Sequence, residues 1–188
     1  MPSNLRTSSE GIRLIKRHEG WMPEWYQDPV GVWTIGWGTT EHVQSVSHPD
    51  SPLGPITKEQ GTDLLRKHLK EIEASETFRA LREKTTQSQW DALVSLAYNI
   101  GVRRLGTSTL YQHVLHRRTA KASEQFGRWI YAGGKVWDGL VKRRAEERAL
   151  FDERDPRALG LTPVRPWEMQ ELVDPESYIL DILERHTI

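Results

Sequence analysis

Residues 18–40 read HEGWMPEWYQDPVGVWTIGWGTT, and within them the chain changes its period. Val32, Thr34, Gly36 and Gly38 alternate with Trp33, Ile35 and Trp37, the two-residue repeat of a strand whose side chains point to opposite faces. Asp28-Pro29-Val30-Gly31 offers Asp first, Pro second and Gly fourth, the residue choices of a type I turn. Residues 24–38 are therefore expected to form a hairpin. Among the acids of the same stretch are Glu19 and Asp28, with no evident basic partner along the chain.

Helices surround this hairpin. Thr7 followed by Glu10 makes a capping-box pattern, and Ile12, Leu14 and Ile15 give an apolar stripe that Gly20 ends, so Glu19 falls on the last turn of a first helix. Residues 39–55 have no clear period and are expected to be a loop or a ragged third strand. Thr57-Lys58-Glu59-Gln60 opens a second capping box, and Leu64, Leu65, His68, Leu69 and Ile72 share one face of a helix reaching about Ser75, long enough to link two lobes. Ser88 to Ile100 has little polar interruption and is expected to be a buried central helix, stopped at Gly101. Helices are also expected over 108–117, over 119–131 before Gly133-Gly134, and over 138–154, which makes the C-terminal half all helix. The fold class is α+β and mostly α.

Composition bounds the rest. The chain has 188 residues, 37% of them hydrophobic, enough for one main domain. Lys and Arg number 26, as do Asp and Glu, so no charge excess points to nucleic acid or to a membrane surface. Without cysteine there are no disulfides and no thiolate chemistry. Residues 156–188 hold three arginines against six acids, and Pro156, Pro163 and Pro166 interrupt them. Asp174-Pro175 then looks like the start of a short helix with Tyr178, Ile179, Ile182 and Leu183 on one face, which either docks on the body or meets a protein partner. We divide the chain into a domain over 1–155 and an acidic extension over 156–188. The N-terminus lacks the apolar core of a signal peptide, and no run approaches the roughly 20 residues of a bilayer span. Synthesis in the cytoplasm without stable membrane insertion is expected.

The two carboxylates divide naturally into an acid and a base. The end of a helix carries partial negative charge, which disfavours an anion at Glu19, and burial by Trp21 or Trp25 pushes the same way, while a charged His18 opposes both. Asp28 heads a turn where backbone N–H groups and water keep it ionised. Glycoside hydrolysis needs this pairing: one carboxylic acid protonates the leaving oxygen, and a carboxylate on the other face stabilises positive charge or activates water. Thr34 is placed to hold that water, and its strand face, shared with Val32, Gly36 and Gly38, is small enough to admit a sugar ring. Trp33 and Trp37 point the other way and are expected to pack the sheet.

The order HEG, then YQDPVGVWTIGWG, with Glu19 and Asp28 nine apart and Asp28 and Thr34 six apart, resembles the phage-type lysozyme or endolysin family. The likeness continues through ITKEQGTDLL, SQWDALVSLAYNIG and RWIYAGGKVWDGLVKRRAEERALF, covering about residues 5–154. It implies a lysozyme-like fold, in which a small N-terminal lobe with a β-sheet is joined by a long helix to a larger helical lobe across a cleft. It also implies Glu19, Asp28 and Thr34 as a catalytic triad, Tyr98 and Asn99 on the cleft wall across from Glu19, and no cofactor. The substrate implied is the peptidoglycan glycan strand, cleaved by a muramidase, with lytic transglycosylation and non-catalytic wall binding as rivals. Action in the periplasm then requires release by a holin or another delivery route. The chain departs from many relatives in having Thr39 where they have His, in a longer 41–55 segment, and in the tail.

Two further groups point to nothing special. His42, His48 and Asp50 lie in a polar loop at spacings that fit no helix face, and no metal is expected. Lys142, Arg143, Arg144 and Arg148, interleaved with Glu146 and Glu147, look like an ordinary solvated helix, with attraction of wall-peptide carboxylates as the alternative. The protein is expected to be a monomer.

Overall fold

A computed structural model describes residues 5–27, 31–40 and 55–153. Asp28, the histidines of the 41–55 segment and the whole 156–188 extension lie outside the described residues. A first helix, α1 (Ser9–His18), leads into a three-stranded antiparallel sheet of β1 (Met22–Gln27), β2 (Trp33–Gly36) and β3 (Thr39–Thr40), in that spatial order. The long helix α2 (Lys58–Ala74) then connects to α3 (Glu76–Leu81), α4 (Gln87–Ile100), α5 (Val102–Gly106), α6 (Thr109–Leu115) and α7 (Thr119–Glu124). A 3₁₀ turn (Phe126–Arg128), a small hairpin of β4 (Tyr131–Ala132) and β5 (Lys135–Val136), and α8 (Asp138–Phe151) complete the described chain. The arrangement is lysozyme-like: a small sheet and a larger helical body, with α2 packed on both.

Helix α4 is the centre of the helical body, and all of Trp90–Ile100 is buried. Thr86 and Gln89 close its N-terminus as a reciprocal capping box, and Gly101 ends it with φ +88°, where a side chain would be strained. Trp90 meets Phe78 edge-on at 5.1 Å between ring centroids, the arrangement that ring quadrupoles favour. Helix α2 begins with the capping box expected of Thr57 and Gln60.

Several local expectations are corrected. Ser8, not Thr7, caps α1, accepting from the N–H groups of Glu10 and Gly11. The Thr7 hydroxyl donates instead to Glu73 Oε1 at 2.6 Å and ties the N-terminus to α2. The two-residue alternation stops at Gly36, because Gly36 and Gly38 have φ of +69° and +81° and turn the chain out of β2. Thr34, Ile35 and Gly36 are all buried, since this strand is covered on both faces. The C-terminal half is not all helix: the expected 119–131 helix ends at Glu124, and Gly133-Gly134 closes the β4–β5 hairpin.

Candidate active site

Glu19 sits where α1 stops. Its N–H donates to Ile15 O at 3.0 Å, its backbone is already extended, and its side chain, only 4% exposed, turns into the body of the protein. Trp21 and Trp37 meet at a tilt of 46° with 4.7 Å between centroids, and Lys16 Nζ lies 5.0 Å from the Trp37 ring, so Trp37 packs as expected. The absence of a basic partner is corrected. Arg143 Nη1, from α8, donates to Glu19 Oε1 at 2.8 Å, with both side chains buried.

Arg143 is itself held on two further sides. Its Nε donates to Glu147 Oε1 at 3.1 Å and its Nη2 to the Ser95 carbonyl of α4 at 3.2 Å. Glu147 Oε1 also accepts from the Ser95 hydroxyl at 2.7 Å and from Arg144 Nη2 at 3.0 Å. One turn away, Glu146 pairs with Arg17 and lies 3.4 Å from His18 Nε2. Burial pushes the Glu146 carboxyl up, but the His18 hydrogen bond and charge, with Arg17, overcome this and leave it lowered. Burial dominates at His18 and lowers its pKa. Helix α8 is therefore not the solvated helix expected: Arg143, Arg144, Glu146 and Glu147 are buried. The sequence did hold a signal. Leu140, Arg143, Arg144, Glu147 and Phe151 follow the spacing of a core-facing stripe, in which the charged residues occupy the apolar positions.

On the sheet side, Gly38 closes over the acid. A Cβ at this position would stand 3.0 Å from Glu19 Oε2 and 3.6 Å from the Tyr98 hydroxyl, and its φ of +81° already favours glycine. The Tyr98 hydroxyl donates to the Trp37 carbonyl at 2.8 Å, fixing the turn that carries Gly38. The Tyr98 ring packs on His68 of α2 at 4.7 Å between centroids. Burial pushes His68 down to about 4, against the opposing charge of Glu19.

The structure thus brings Glu19, Gly38, Tyr98, His68 and Arg143 together. Tyr98 and Asn99 are both buried in α4, and Asn99 Nδ2 has no hydrogen-bond partner there. Gly36 does not leave the open space expected beside it. A Cβ there would touch Gly61, Ile56 and Trp21 at 3.4–3.8 Å, so Gly36 is a packing contact between β2 and α2. Thr34 is buried in mid-strand, opposite Tyr26 and Thr40, and its hydroxyl donates to the Val32 carbonyl at 3.3 Å, leaving oxygen lone pairs to accept. His68 and Arg143 were not foreseen as site residues, and Gly38, foreseen only on the small strand face beside Thr34, turns out to face Glu19. Among the described residues, no group of three or more His, Asp or Glu is placed to hold a metal ion.

A buried acid at the end of the first helix, clamped between a glycine turn of a small sheet and an arginine of the last helix, defines the class of lysozyme-like two-lobed proteins. Comparison with known proteins gives the family. The phage lysozyme family model matches residues 16–147, and the chain belongs to that family. It is 39% identical over 155 residues to the endolysin of Bacillus phage PZA, a match covering 81% of this chain and 57% of that protein. It is 36% identical over 147 residues to the endolysin of Salmonella phage P22, covering 78% of this chain and 98% of that one. The muramidase domain of SpmX from Asticaccaulis excentricus superposes with a TM-score of 0.67 at 33% identity, covering 79% of this chain and 98% of that domain. The chain spans little more than half the length of the Bacillus phage relatives it matches.

Proposed function

We propose that this chain is a peptidoglycan hydrolase: a muramidase that cleaves the β-1,4 bond between N-acetylmuramic acid and N-acetylglucosamine in bacterial glycan strands. The observation that carries the reading is the buried Glu19 held by Arg143 beneath Gly38, in a chain of the phage lysozyme family. Glu19 donates its proton to the glycosidic oxygen as the bond to the anomeric carbon breaks. Asp28, which follows β1 in the sequence, stabilises the oxocarbenium-like charge or removes a proton from the attacking water, and Thr34 positions that water. A held water favours inversion of the anomeric centre, for which carboxylates stand roughly 6.5 to 9.5 Å apart.

The steric contact with Gly38 and the ion pair with Arg143 fix the direction in which Glu19 faces, so the proton is delivered at one place. Tyr98 supports this by holding the Trp37 carbonyl, and Asn99 offers a polar group from the same helix. In this reading residues 1–155 are the catalytic domain, and 156–188 are an extension that follows it in the sequence. No described helix is long and apolar enough to cross a membrane. In this reading the protein acts on the wall in the periplasm after delivery by a holin or another route.

Purified peptidoglycan treated with the protein tests this reading. Muramidase action releases reducing N-acetylmuramic acid ends with the mass of added water. Anhydro products would make the protein a lytic transglycosylase, and binding without release would make it a wall-binding module. Thr34→Ala should lose turnover while binding of peptidoglycan persists; an unchanged rate would remove Thr34 from the mechanism.

A further inference from the structure

Arg143 poses a problem for the proposed chemistry. A guanidinium hydrogen-bonded to a buried carboxyl favours its anion, whereas a proton donor must hold its proton until the substrate arrives. The resolution lies one residue further from the reaction. Glu147 is fully buried and gathers Arg143 Nε, Arg144 Nη2 and the Ser95 hydroxyl on a single oxygen, Oε1. None of these contacts reaches substrate. Together they fix the plane of the Arg143 guanidinium and spread its charge over a second carboxylate before the remaining Nη1 meets Glu19.

We propose that Glu147 is a positioning residue that acts through Arg143 to keep Glu19 in its proton-donating state. The proposal rests on the assignment of Glu19 as the acid. The buried group of Arg143, Arg144, Glu147 and Glu19 carries one net positive charge when Glu19 is protonated and none when it is ionised. Without the Glu147 carboxylate, each of these states carries one more positive charge, which favours the ionised form of Glu19. Among the described residues, the other charged or titratable groups around Glu19 include His18 on α1, His68 on α2, Tyr98 on α4 and Glu146 on α8. Arg17 sits behind Glu146. Replacing Glu147 also removes a charge that raises the His18 pKa, while Arg143 and Arg144 lose their shared anion.

The test compares pH profiles of peptidoglycan cleavage for the wild type, Glu147→Gln, Arg144→Gln and the double variant. A proton donor is spent on the alkaline side, so Glu147→Gln should move the basic limb of kcat/KM to lower pH by on the order of one unit. Arg144→Gln removes a cation and should move the same limb to higher pH. The double variant restores the charge balance and should return the limb close to the wild-type position. A purely structural Glu147 would lower rate or stability with every limb in place, and that result overturns the proposal, as does a shift of the same sign in all three variants. If Glu147→Gln fails to fold, the opposite shift expected of Arg144→Gln still decides, because an unmoved limb there also overturns it. Carbon-13 titration of the Glu19 carboxyl in the same proteins reads the coupling without turnover. An inactive wild type with coupled titrations would count against the muramidase reading alone, whereas active enzymes with uncoupled titrations would count against the role of Glu147 alone.

Discussion

The sheet and helix α8 approach Glu19 at different carboxylate oxygens and by different physics. The sheet offers a backbone turn: Gly38, held by the Tyr98 hydroxyl on the neighbouring carbonyl, leaves room for Oε2 and nothing more. Helix α8 offers charge: Arg143 grips Oε1 and is gripped in turn by Glu147 and Ser95. Steric contact falls off within a few tenths of an ångström, while charge in a buried site acts over several ångströms. Damage to the sheet side should therefore displace the acid, and damage to the helix side should change its protonation. The helical body sets a third scale, because it determines whether either wall exists.

The largest effect on stability is expected there. Trp90→Ala empties a fully buried site beneath Phe78 and should cost about 3 to 5 kcal/mol in chemical denaturation; a loss under about 1 kcal/mol would show that α4 is not the centre of the core.

Next comes His68, whose folded pKa of about 4 lies below its ordinary 6.5. The unfolded chain takes up the proton first, so this part of the stability is complete above pH 6.5, declines as the pH falls, and is gone below about 4. Across that window the loss should come to about 3 kcal/mol. Urea midpoints of the wild type should fall across this window more steeply than those of His68→Gln. Equal slopes would place His68 outside the buried wall of Tyr98.

Gly38→Ala sharpens the steric side of the comparison. The alanine must adopt φ near +81° and sets a methyl 3.0 Å from Glu19 Oε2. About 1 to 2 kcal/mol of stability should be lost from the backbone alone, while peptidoglycan cleavage falls at least about tenfold through misplacement of the acid. Unimpaired cleavage would show that the sheet does not set the direction of Glu19.

Tyr98→Phe is the mildest change. It leaves the Trp37 carbonyl without its 2.8 Å donor and should cost about 1 kcal/mol, with a smaller drop in rate than Gly38→Ala. A drop larger than that of Gly38→Ala would reverse the roles assigned to the two residues.

Legibility in the sequence followed range along the chain. The capping box at Thr57, the stop at Gly101 and the helix end at Glu19 depend on residues a few places apart, and such signals survive folding. The β4–β5 hairpin was missed because two two-residue strands give too short a period to recognise, although Gly133-Gly134 marked the turn. Thr7 misled because its hydroxyl found Glu73, 66 residues away, leaving Ser8 to cap the helix. The same reason hid half of the site: Arg143 is 124 residues from Glu19, and a buried ion network on α8 resembles a solvated helix unless its charges are noticed at the stripe positions. Gly36 and Gly38 looked equivalent by parity, yet one packs on Gly61 and the other on the acid.

The central claim is that the proton leaving Glu19 breaks the glycan. Glu19→Gln keeps the size of the side chain and an oxygen for Arg143 but has no carboxylic proton to give. Measured on purified peptidoglycan, with circular dichroism confirming the fold, release of reducing ends should fall by roughly 10² to 10⁴. Cleavage by a folded Glu19→Gln protein at close to the wild-type rate would contradict the account.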